Sequence, residues 1–278
     1  MKSSLAQVVV AVVLLTACAG GQNRRMVAAD LADIEVADSA SADGEGAEDE
    51  PMPEAADELF DDFIFNFAAN KRLQMERTVF PLEVKDDEGG ELKVERAGWK
   101  MEHFFMNQDY YTLIFDSQEL AEQQVKDTAL SRATVEKIFL DEGRVMQYHF
   151  CRQSGRWMLS EVTNQSLPRN PNAQFLSFYQ RFVNDSVFQY QSLSEQIAFV
   201  GPDPDNDFEQ MEGVITPDFW EAFAPDLPRH LLYNIVYGKQ NPASAQKILF
   251  LRGIANGLEV ELTFRQKGGR WKLTKLFT

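Results

Sequence analysis

An internal repeat constrains this chain more than any other feature of its sequence. One set of markers, Phe60, Phe63, Phe67 and Gln74, recurs in the same order and at the same spacing as Phe175, Phe178, Phe182 and Gln189. A second set recurs later in each copy, with Gly155, Arg156, Trp157 and Leu159 matched by Gly269, Arg270, Trp271 and Leu273. Two sets at nearly equal separations indicate a duplicated unit. We therefore predict two domains, at residues 57–166 and 172–278, joined by a short segment with two prolines.

Each copy is predicted to begin with an amphipathic helix. Phe60, Phe63 and Phe67 stand at positions i, i+3 and i+7, which lie on one face of a helix. Asp61 and Asp62 fall in the first turn, where negative side chains favour the positive end of the helix dipole. The phenylalanine spacing repeats in the second copy. A stripe of this kind indicates buried core packing rather than a lipid or cofactor site.

Each copy is predicted to end in a β-hairpin. Met146, Tyr148 and Phe150 alternate with polar residues, which places the apolar side chains on one face of a strand. A glycine-containing turn follows in both copies, after which Trp157 or Trp271 begins a second strand. Helices followed by antiparallel strands predict an α+β fold, in which each domain is a curved antiparallel sheet wrapped on N-terminal helices.

The N-terminal residues resemble a bacterial lipoprotein signal. Lys2 precedes an apolar stretch at residues 5–17, which is too short to cross a bilayer as a helix. The stretch ends in Leu15, Thr16, Ala17 and Cys18, which together resemble the lipobox motif. The resemblance implies a signal peptide at residues 1–17, lipid attachment at Cys18 and thereby a membrane partner. The alternative is a secreted protein in which Cys18 is incidental.

Residues 18–56 are predicted to form an acidic, disordered tether. Asp and Glu dominate this segment, and Ala, Gly, Ser and Pro fill most of the remaining positions. Such a composition buries too little apolar surface to offset the entropy of ordering the chain. A solvated spacer is the simplest interpretation, and an acidic bait for a basic or calcium-bearing partner is the alternative. Residues 19–23 carry no acidic side chain, so we expect an outer-membrane location that faces the periplasm.

These features together carry a family resemblance. Each copy resembles the nuclear transport factor two-like, or cystatin-like, α+β cone, and the whole chain is similar to Bacteroidales lipoproteins of unassigned function. The resemblance covers nearly all of the chain and implies two tandem cone-shaped domains without a catalytic motif. It also implies an aromatic core that contains Phe63, Phe67, Trp157, Phe178, Phe182 and Trp271.

Composition and motifs argue against several classes of function. The formal net charge of -16 repels nucleic-acid phosphates, so we expect no nucleic-acid partner. With only Cys18 and Cys151, the chain has neither a disulfide framework nor enough thiolates for a zinc site. The metalloprotease, nucleophile-elbow, phosphate-loop and dinucleotide motifs do not occur. We therefore expect no metal and no cofactor.

Two further patterns suggest chemistry but have simpler explanations. His149 and Cys151 share one face of a predicted strand, close enough to share a metal or to act as a base and thiol pair. Their counterparts in the second copy are Thr263 and Arg265, so the favoured interpretation is an outer sheet surface. The aspartates at residues 203–207 resemble the first half of a calcium loop, whose glycine and final acid are missing.

Four residues are candidates for a pocket between helix and sheet, namely Asp109 and Tyr111 in the first copy and His230 and Tyr233 in the second. An acid-base role requires one of them to be buried, with its pKa moved toward neutrality. We expect a non-catalytic, lipid-anchored envelope protein that binds a small apolar ligand, a glycan or another envelope protein. The alternative is an enzyme that uses an apolar pocket in one cone for acid-base chemistry.

Overall fold

Helices come first in each copy and strands follow, as the sequence pattern predicts. The computed structural model describes residues 57–203, 206–238 and 240–278. The first copy contains α1 (Phe60–Ala69), α2 (Lys71–Arg77), β1 (Thr78–Asp86), β2 (Glu91–Val94), β3 (Tyr110–Phe115), α3 (Gln118–Val125), β4 (Arg132–Phe139), β5 (Arg144–Gln153) and β6 (Arg156–Ser166). The second copy contains α4 (Ala173–Asn184), α5 (Ser186–Gln191), β7 (Leu193–Asp203), β8 (Asn206–Ile215), α6 (Trp220–Phe223), β9 (Leu231–Val236), β10 (Gln246–Gly253), β11 (Glu259–Lys267) and β12 (Arg270–Phe277).

The strands of both copies form a single sheet of twelve strands, in the order β2-β1-β6-β5-β4-β9-β3-β10-β11-β12-β7-β8. Most neighbours are antiparallel, but three pairs are parallel, namely β1 with β6, β7 with β12 and β3 with β9. The predicted α+β class, with a large curved sheet and few helices, is confirmed. The expectation of a separate antiparallel sheet in each copy is wrong, because the sheet is shared and mixed. The domain limits 57–166 and 172–278 remain a prediction about the repeated units.

The two copies exchange one strand each at the centre of the sheet. Strand β3 of the first copy pairs with β10 of the second, and β9 of the second copy pairs with β4 of the first. Where β3 and β9 meet, Thr112 lies opposite Asn234, and the Thr112 hydroxyl donates to the Tyr233 carbonyl oxygen at 3.0 Å. Each half of the sheet therefore depends on a strand from the other copy.

The phenylalanine stripe of each copy packs against that copy's own hairpin. Phe60 lies 5.0 Å from Trp157 between ring centroids, and Phe175 lies 5.5 Å from Trp271 in the equivalent contact. The aromatic core expected from the resemblance is present. Phe63, Phe67, Trp157, Phe182 and Trp271 are buried, and Phe178 packs partly buried against the same cluster.

The helices of the two copies cover opposite faces of the central strands. On β3, Phe115 contacts Tyr237 and Phe250, whereas its neighbour Ile114 belongs to the core cluster around Phe175 and the rest of α4. Consecutive residues of a strand point to opposite faces, so the two sides of β3 are buried by different copies. Ile138 and Val145 of the first copy also belong to the α4 cluster. The core of the second copy is therefore shared with the first.

The repeated glutamines have a structural role in both copies. Gln74 in α2 accepts a hydrogen bond from the Trp99 indole at 3.2 Å, and Gln189 in α5 accepts one from the Trp220 indole at 3.1 Å. Each glutamine thus fixes a tryptophan against the second helix of its copy. Within the described part of the chain, no helix is both long enough and apolar enough to cross a membrane.

Candidate functional site

A cleft of about 330 Å³ lies beside the first copy's half of the sheet, on the face that α4 covers further along. Its lining consists of Thr134, Glu136, Gln147, Pro171, Val236, Gly238 and Gln240. We call it the Glu136 cleft. Its volume falls in the range of about 300 to 1,000 Å³ that is usual for small-molecule sites. Both copies and the segment between them contribute residues to it.

Strand pairing places Glu136 between two amide side chains. Glu136 on β4 lies opposite Gln147 on β5 and opposite Asn234 on β9. Because opposed residues share a face of the sheet, all three side chains point to the same side. Asn234 reaches this position only because β9 of the second copy is inserted next to β4. The strand exchange therefore assembles the site.

Glu136 is 1% exposed, and both of its carboxylate oxygens accept hydrogen bonds. Oε1 accepts from Gln147 Nε2 at 2.8 Å and from Asn170 Nδ2 at 2.7 Å, whereas Oε2 accepts from Asn234 Nδ2 at 2.8 Å. Burial raises the pKa of Glu136, and the three amide hydrogen bonds oppose that shift without cancelling it. The cleft wall thus holds a rigid carboxyl group that is displaced toward its neutral form.

A chain of hydrogen bonds orients Gln147 toward Glu136. The Thr163 hydroxyl donates to Gln147 Oε1 at 3.1 Å, which leaves Gln147 Nε2 directed at the carboxylate. His149 Nε2 lies 2.8 Å from Thr163 Oγ1, and His149 Nδ1 lies 3.2 Å from Thr134 Oγ1. Because the single Thr163 hydrogen is used on Gln147, His149 Nε2 is the donor and the Thr134 hydroxyl donates to Nδ1. Every donor in the chain therefore points toward Glu136.

Burial also sets the protonation of His149. Desolvation lowers the pKa of His149, and the nearby Glu161 carboxylate opposes this change. A neutral imidazole matches the direction of the hydrogen bonds described above. The face of β5 that carries Gln147 and His149 was expected to be an outer surface, and that expectation is wrong at these two residues. Cys151, further along the same strand, accepts a hydrogen bond from Gln153 Nε2 at 3.5 Å.

Two polar atoms at the site remain available to a ligand. Gln240 Nε2 and Asn234 Oδ1 are buried and have no hydrogen-bond partner among the described residues. Buried polar atoms in native proteins are usually paired, so each of these atoms requires a partner from outside the described chain. Gln240 lines the cleft, and Asn234 is already fixed by its bond to Glu136. The site therefore offers one unused donor and one unused acceptor beside the carboxyl group.

A second buried carboxylate, Glu102, lies on the opposite face of the sheet. Its Oε2 accepts from the Tyr148 hydroxyl at 2.8 Å and lies 3.6 Å from Lys137 Nζ, while its Oε1 accepts from the Phe104 backbone N–H at 3.1 Å. Tyr148 also packs against the Phe104 ring at 4.9 Å. These contacts neutralise Glu102 and fix the segment before β3, so we interpret this cluster as structural.

Two of the predicted pocket residues meet in the interior of the first copy. Tyr111 and Tyr233 are buried, and their ring centroids lie 5.4 Å and 6.4 Å from that of Phe105. Desolvation raises the pKa of Tyr111 to about 12, and it raises that of Tyr233 further. Both hydroxyls therefore stay protonated near neutral pH and are unsuited to act as bases.

The other two predicted pocket residues are exposed and have different neighbours. Asp109 ends a short 3-10 helix in a left-handed conformation, and its carbonyl oxygen accepts from the Ile254 backbone N–H at 2.8 Å. His230 Nδ1 lies 2.6 Å from the Asp141 carboxylate in an exposed pair. The structure therefore does not join Asp109 and His230 to the two tyrosines in one site.

Several predicted features lie outside the described residues, namely the signal peptide at residues 1–17, lipid attachment at Cys18, the tether at residues 18–56 and most of the acidic loop at residues 203–207. Among the residues that are described, no group of three or more His, Cys, Asp or Glu side chains is placed to hold a metal ion.

Sequence reasoning missed Glu136 and its amide partners. The one local signal is a run of polar residues at alternate positions, Thr134 and Glu136 on one strand and Gln147 and His149 on the next. This pattern is also typical of a solvent-facing sheet surface. Only the inserted strand β9 and the segment around Asn170, which cover this face, distinguish the two cases.

Comparison with known proteins places the chain among proteins without an assigned activity. It is similar to the crystal structure of an NTF2-like protein from Bacteroides fragilis NCTC 9343, with 41% sequence identity and a TM-score of 0.73. That match covers 82% of this chain and 98% of the other. No curated protein matches the chain. A family model described as a domain of unknown function (DUF4348) matches residues 39–278, and the chain therefore belongs to that family.

Proposed function

We propose that this protein binds a small polar ligand in the Glu136 cleft and does so as a non-catalytic component of the cell envelope. The observation that carries the proposal is a fully buried carboxyl group, held by three amide donors, in the wall of a cleft of about 330 Å³. The lining is mainly polar, with Val236 and Pro171 as its apolar part. These groups favour a polar ligand over the apolar one expected from sequence.

The construction of the site favours binding over a purely structural role. A buried polar network that serves stability alone has all of its members paired. Here Gln240 Nε2 and Asn234 Oδ1 have no partner among the described residues, although they lie beside a fully ordered carboxylate. Directed hydrogen bonds from His149 through Thr163 and Gln147 also preorganise the carboxylate before any ligand arrives.

We further propose that the protein acts from a lipid anchor at Cys18, on the outer membrane and facing the periplasm. The lipobox-like Leu15, Thr16, Ala17 and Cys18 support the anchor, and the acidic residues 18–56 would separate the folded part from the membrane. The tandem cone arrangement is likewise our proposal: each copy corresponds to one NTF2-like unit, modified by exchange of its central strand. A similar NTF2-like protein in Bacteroides fragilis supports this view.

The binding proposal is tested by ligand-observed NMR on the full chain. The probes are mixtures of amino alcohols, sugars and amino acids, added to the wild type and to the variants Glu136→Gln and Gln240→Ala. We expect at least one probe to bind, and both variants to weaken it by about tenfold, as loss of one hydrogen bond to a charged group predicts. The matched control is Glu142→Gln, an exposed glutamate of the same copy that does not line the cleft. Probes that bind all variants equally would exclude the cleft.

A second function is favoured by one specific observation. A carboxyl group whose pKa is raised by burial, at the wall of a cleft, is suited to general acid-base chemistry. This role predicts turnover of a bound probe by the wild type, with loss of that turnover in Glu136→Gln. Binding without turnover in the wild type would leave the non-catalytic function.

A further inference from the structure

We infer that the ligand of the Glu136 cleft carries a positively charged amino group, which pairs with the Glu136 carboxylate. This inference rests on the proposed function and names the class of ligand. It follows from three features of the site: the missing counter-charge of Glu136, its remaining acceptor capacity, and the unpaired donor of Gln240.

Glu136 differs from the other buried glutamates in its counter-charge. Glu102 lies 3.6 Å from Lys137 Nζ, and Glu261 lies 3.1 Å from Lys275 Nζ. Glu136 is the most buried of the three, yet its hydrogen-bond partners are neutral amides. Among the described residues, no lysine or arginine lines the cleft. An ionised carboxylate in this position lacks the positive charge that the fold supplies to the other two.

The hydrogen-bond inventory of Glu136 is also incomplete. An ionised carboxylate offers about four acceptor sites, two on each oxygen. Oε1 uses both of its sites, on Gln147 and Asn170, whereas Oε2 uses one, on Asn234. One acceptor site therefore remains on Oε2. An ammonium group fills this site with a charge-assisted hydrogen bond, which is roughly twice as strong as one between neutral groups.

The rest of the lining specifies what stands beside the amino group. Gln240 Nε2 is a donor without a described partner, so it matches an oxygen acceptor on the ligand. Thr134 Oγ1 gives its hydrogen to His149 and presents lone pairs, which accept a further donor. Val236 and Pro171 contact a short carbon skeleton. The site thus fits a small amine with a neighbouring hydroxyl or carbonyl oxygen.

The test compares ethanolamine with ethylene glycol, which has the same skeleton with a neutral hydroxyl in place of the ammonium group. Binding to the full chain is followed through the side-chain amide NMR signals of Gln147 and Asn234. Probes of this size bind in about the millimolar range. We expect ethanolamine to bind at least about tenfold more tightly than ethylene glycol, and Glu136→Gln to abolish this preference.

The outcomes separate this inference from the proposed function. Equal binding of the two probes, or tighter binding of the diol, overturns the amine class and leaves ligand binding in the cleft intact. If neither probe binds and the broader NMR screen also fails, both proposals are wrong. The wild-type comparison does not depend on the folding of Glu136→Gln, so it decides the matter even if that variant unfolds.

One control addresses a charge from the chain itself. Lys239 follows Gly238 in the sequence and lies outside the described residues. Lys239→Gln removes its charge without altering the cleft residues. If ethanolamine binds only after this substitution, Lys239 is the native counter-ion of Glu136 and the inference fails. Equal binding to the wild type and to Lys239→Gln supports a ligand cation.

Discussion

Asn234 of the second copy donates a hydrogen bond to Glu136 of the first, with 2.8 Å between Nδ2 and Oε2. The two residues are far apart in the sequence and meet because β9 lies between β4 and β3. This contact connects the strand exchange to the proposed binding site. Its removal should therefore affect both the stability of the fold and the ionisation of the carboxyl group.

Asn234→Leu is expected to destabilise the protein by about 1 to 3 kcal/mol, because it leaves a buried carboxylate oxygen without its donor. Urea denaturation of the wild type and the variant measures the change in the free energy of unfolding. The control is Asn184→Ala, whose exposed side chain donates to the Gln180 carbonyl oxygen of its own helix. An unchanged unfolding free energy in Asn234→Leu would show that the contact contributes nothing to the fold.

Stability should depend on pH through Glu136. Burial raises its pKa above the reference value of 4.5, so the unfolded state gives up this proton at a lower pH than the folded state. The favourable contribution of Glu136 is therefore complete below about pH 4.5 and is lost as pH rises through the folded-state pKa. Glu136→Gln cannot ionise, and it should gain stability relative to the wild type across this window. Urea titrations between about pH 4 and pH 8 measure the difference.

Asp87 provides a control of opposite sign for this experiment. Hydrogen bonds from the Ser166 backbone N–H and hydroxyl hold the pKa of Asp87 below its usual value of 3.8. Its contribution is present above the unfolded-state pKa and is lost as pH falls through the folded-state value. Asp87→Asn should therefore match the wild type better at acid pH than at neutral pH. Parallel pH profiles for the Glu136 and Asp87 variants would contradict both assignments.

Sequence patterns predicted the local structure and the core because both depend on periodicity. The i, i+3, i+7 spacing of Phe60, Phe63 and Phe67 determines which side of α1 is buried, whatever that side meets. The same holds for the alternation at Tyr148 and Phe150 in β5. These contacts are formed within one copy, so the repeat tests them twice.

The strand exchange could not be predicted by the same reasoning. Strands β3 and β9 are short apolar runs, and either one satisfies the hydrogen-bonding edge of β4 equally well by pattern alone. The choice between Tyr233 and a first-copy residue opposite Lys137 is a long-range one. Glu136 was missed for the same reason, because its burial is produced by this exchange and by Asn170.

The aromatic core should respond to truncation according to burial. Phe67 in α1 is fully buried and lies 5.3 Å from the Phe150 ring, so Phe67→Ala should cost about 3 to 5 kcal/mol. Phe219 is 64% exposed, and Phe219→Ala should change stability by less than about 0.5 kcal/mol. Denaturant unfolding of the two variants provides a matched comparison of the same substitution. Similar losses in both would contradict the core assigned here.

The two copies should not fold as independent monomers. A fragment of residues 57–166 retains β4 and β3 but lacks the β9 that lies between them, and a fragment of residues 172–278 lacks the β3 beside β10. Each fragment also exposes residues such as Ile138 or Leu249 that pack in the shared cluster. Unpaired central edges and uncovered apolar faces favour aggregation or self-association.

Co-expression of the two fragments should restore a one-to-one complex with the spectrum of the intact chain, because the exchange joins them by backbone pairing and not by the linker. Size-exclusion chromatography with light scattering measures the stoichiometry, and amide NMR spectra measure the fold. Two well-dispersed monomers would show that each copy can withdraw its own strand into a closed cone. In that case Asn234 would leave Glu136, and the Glu136 cleft would exist only in the intact protein.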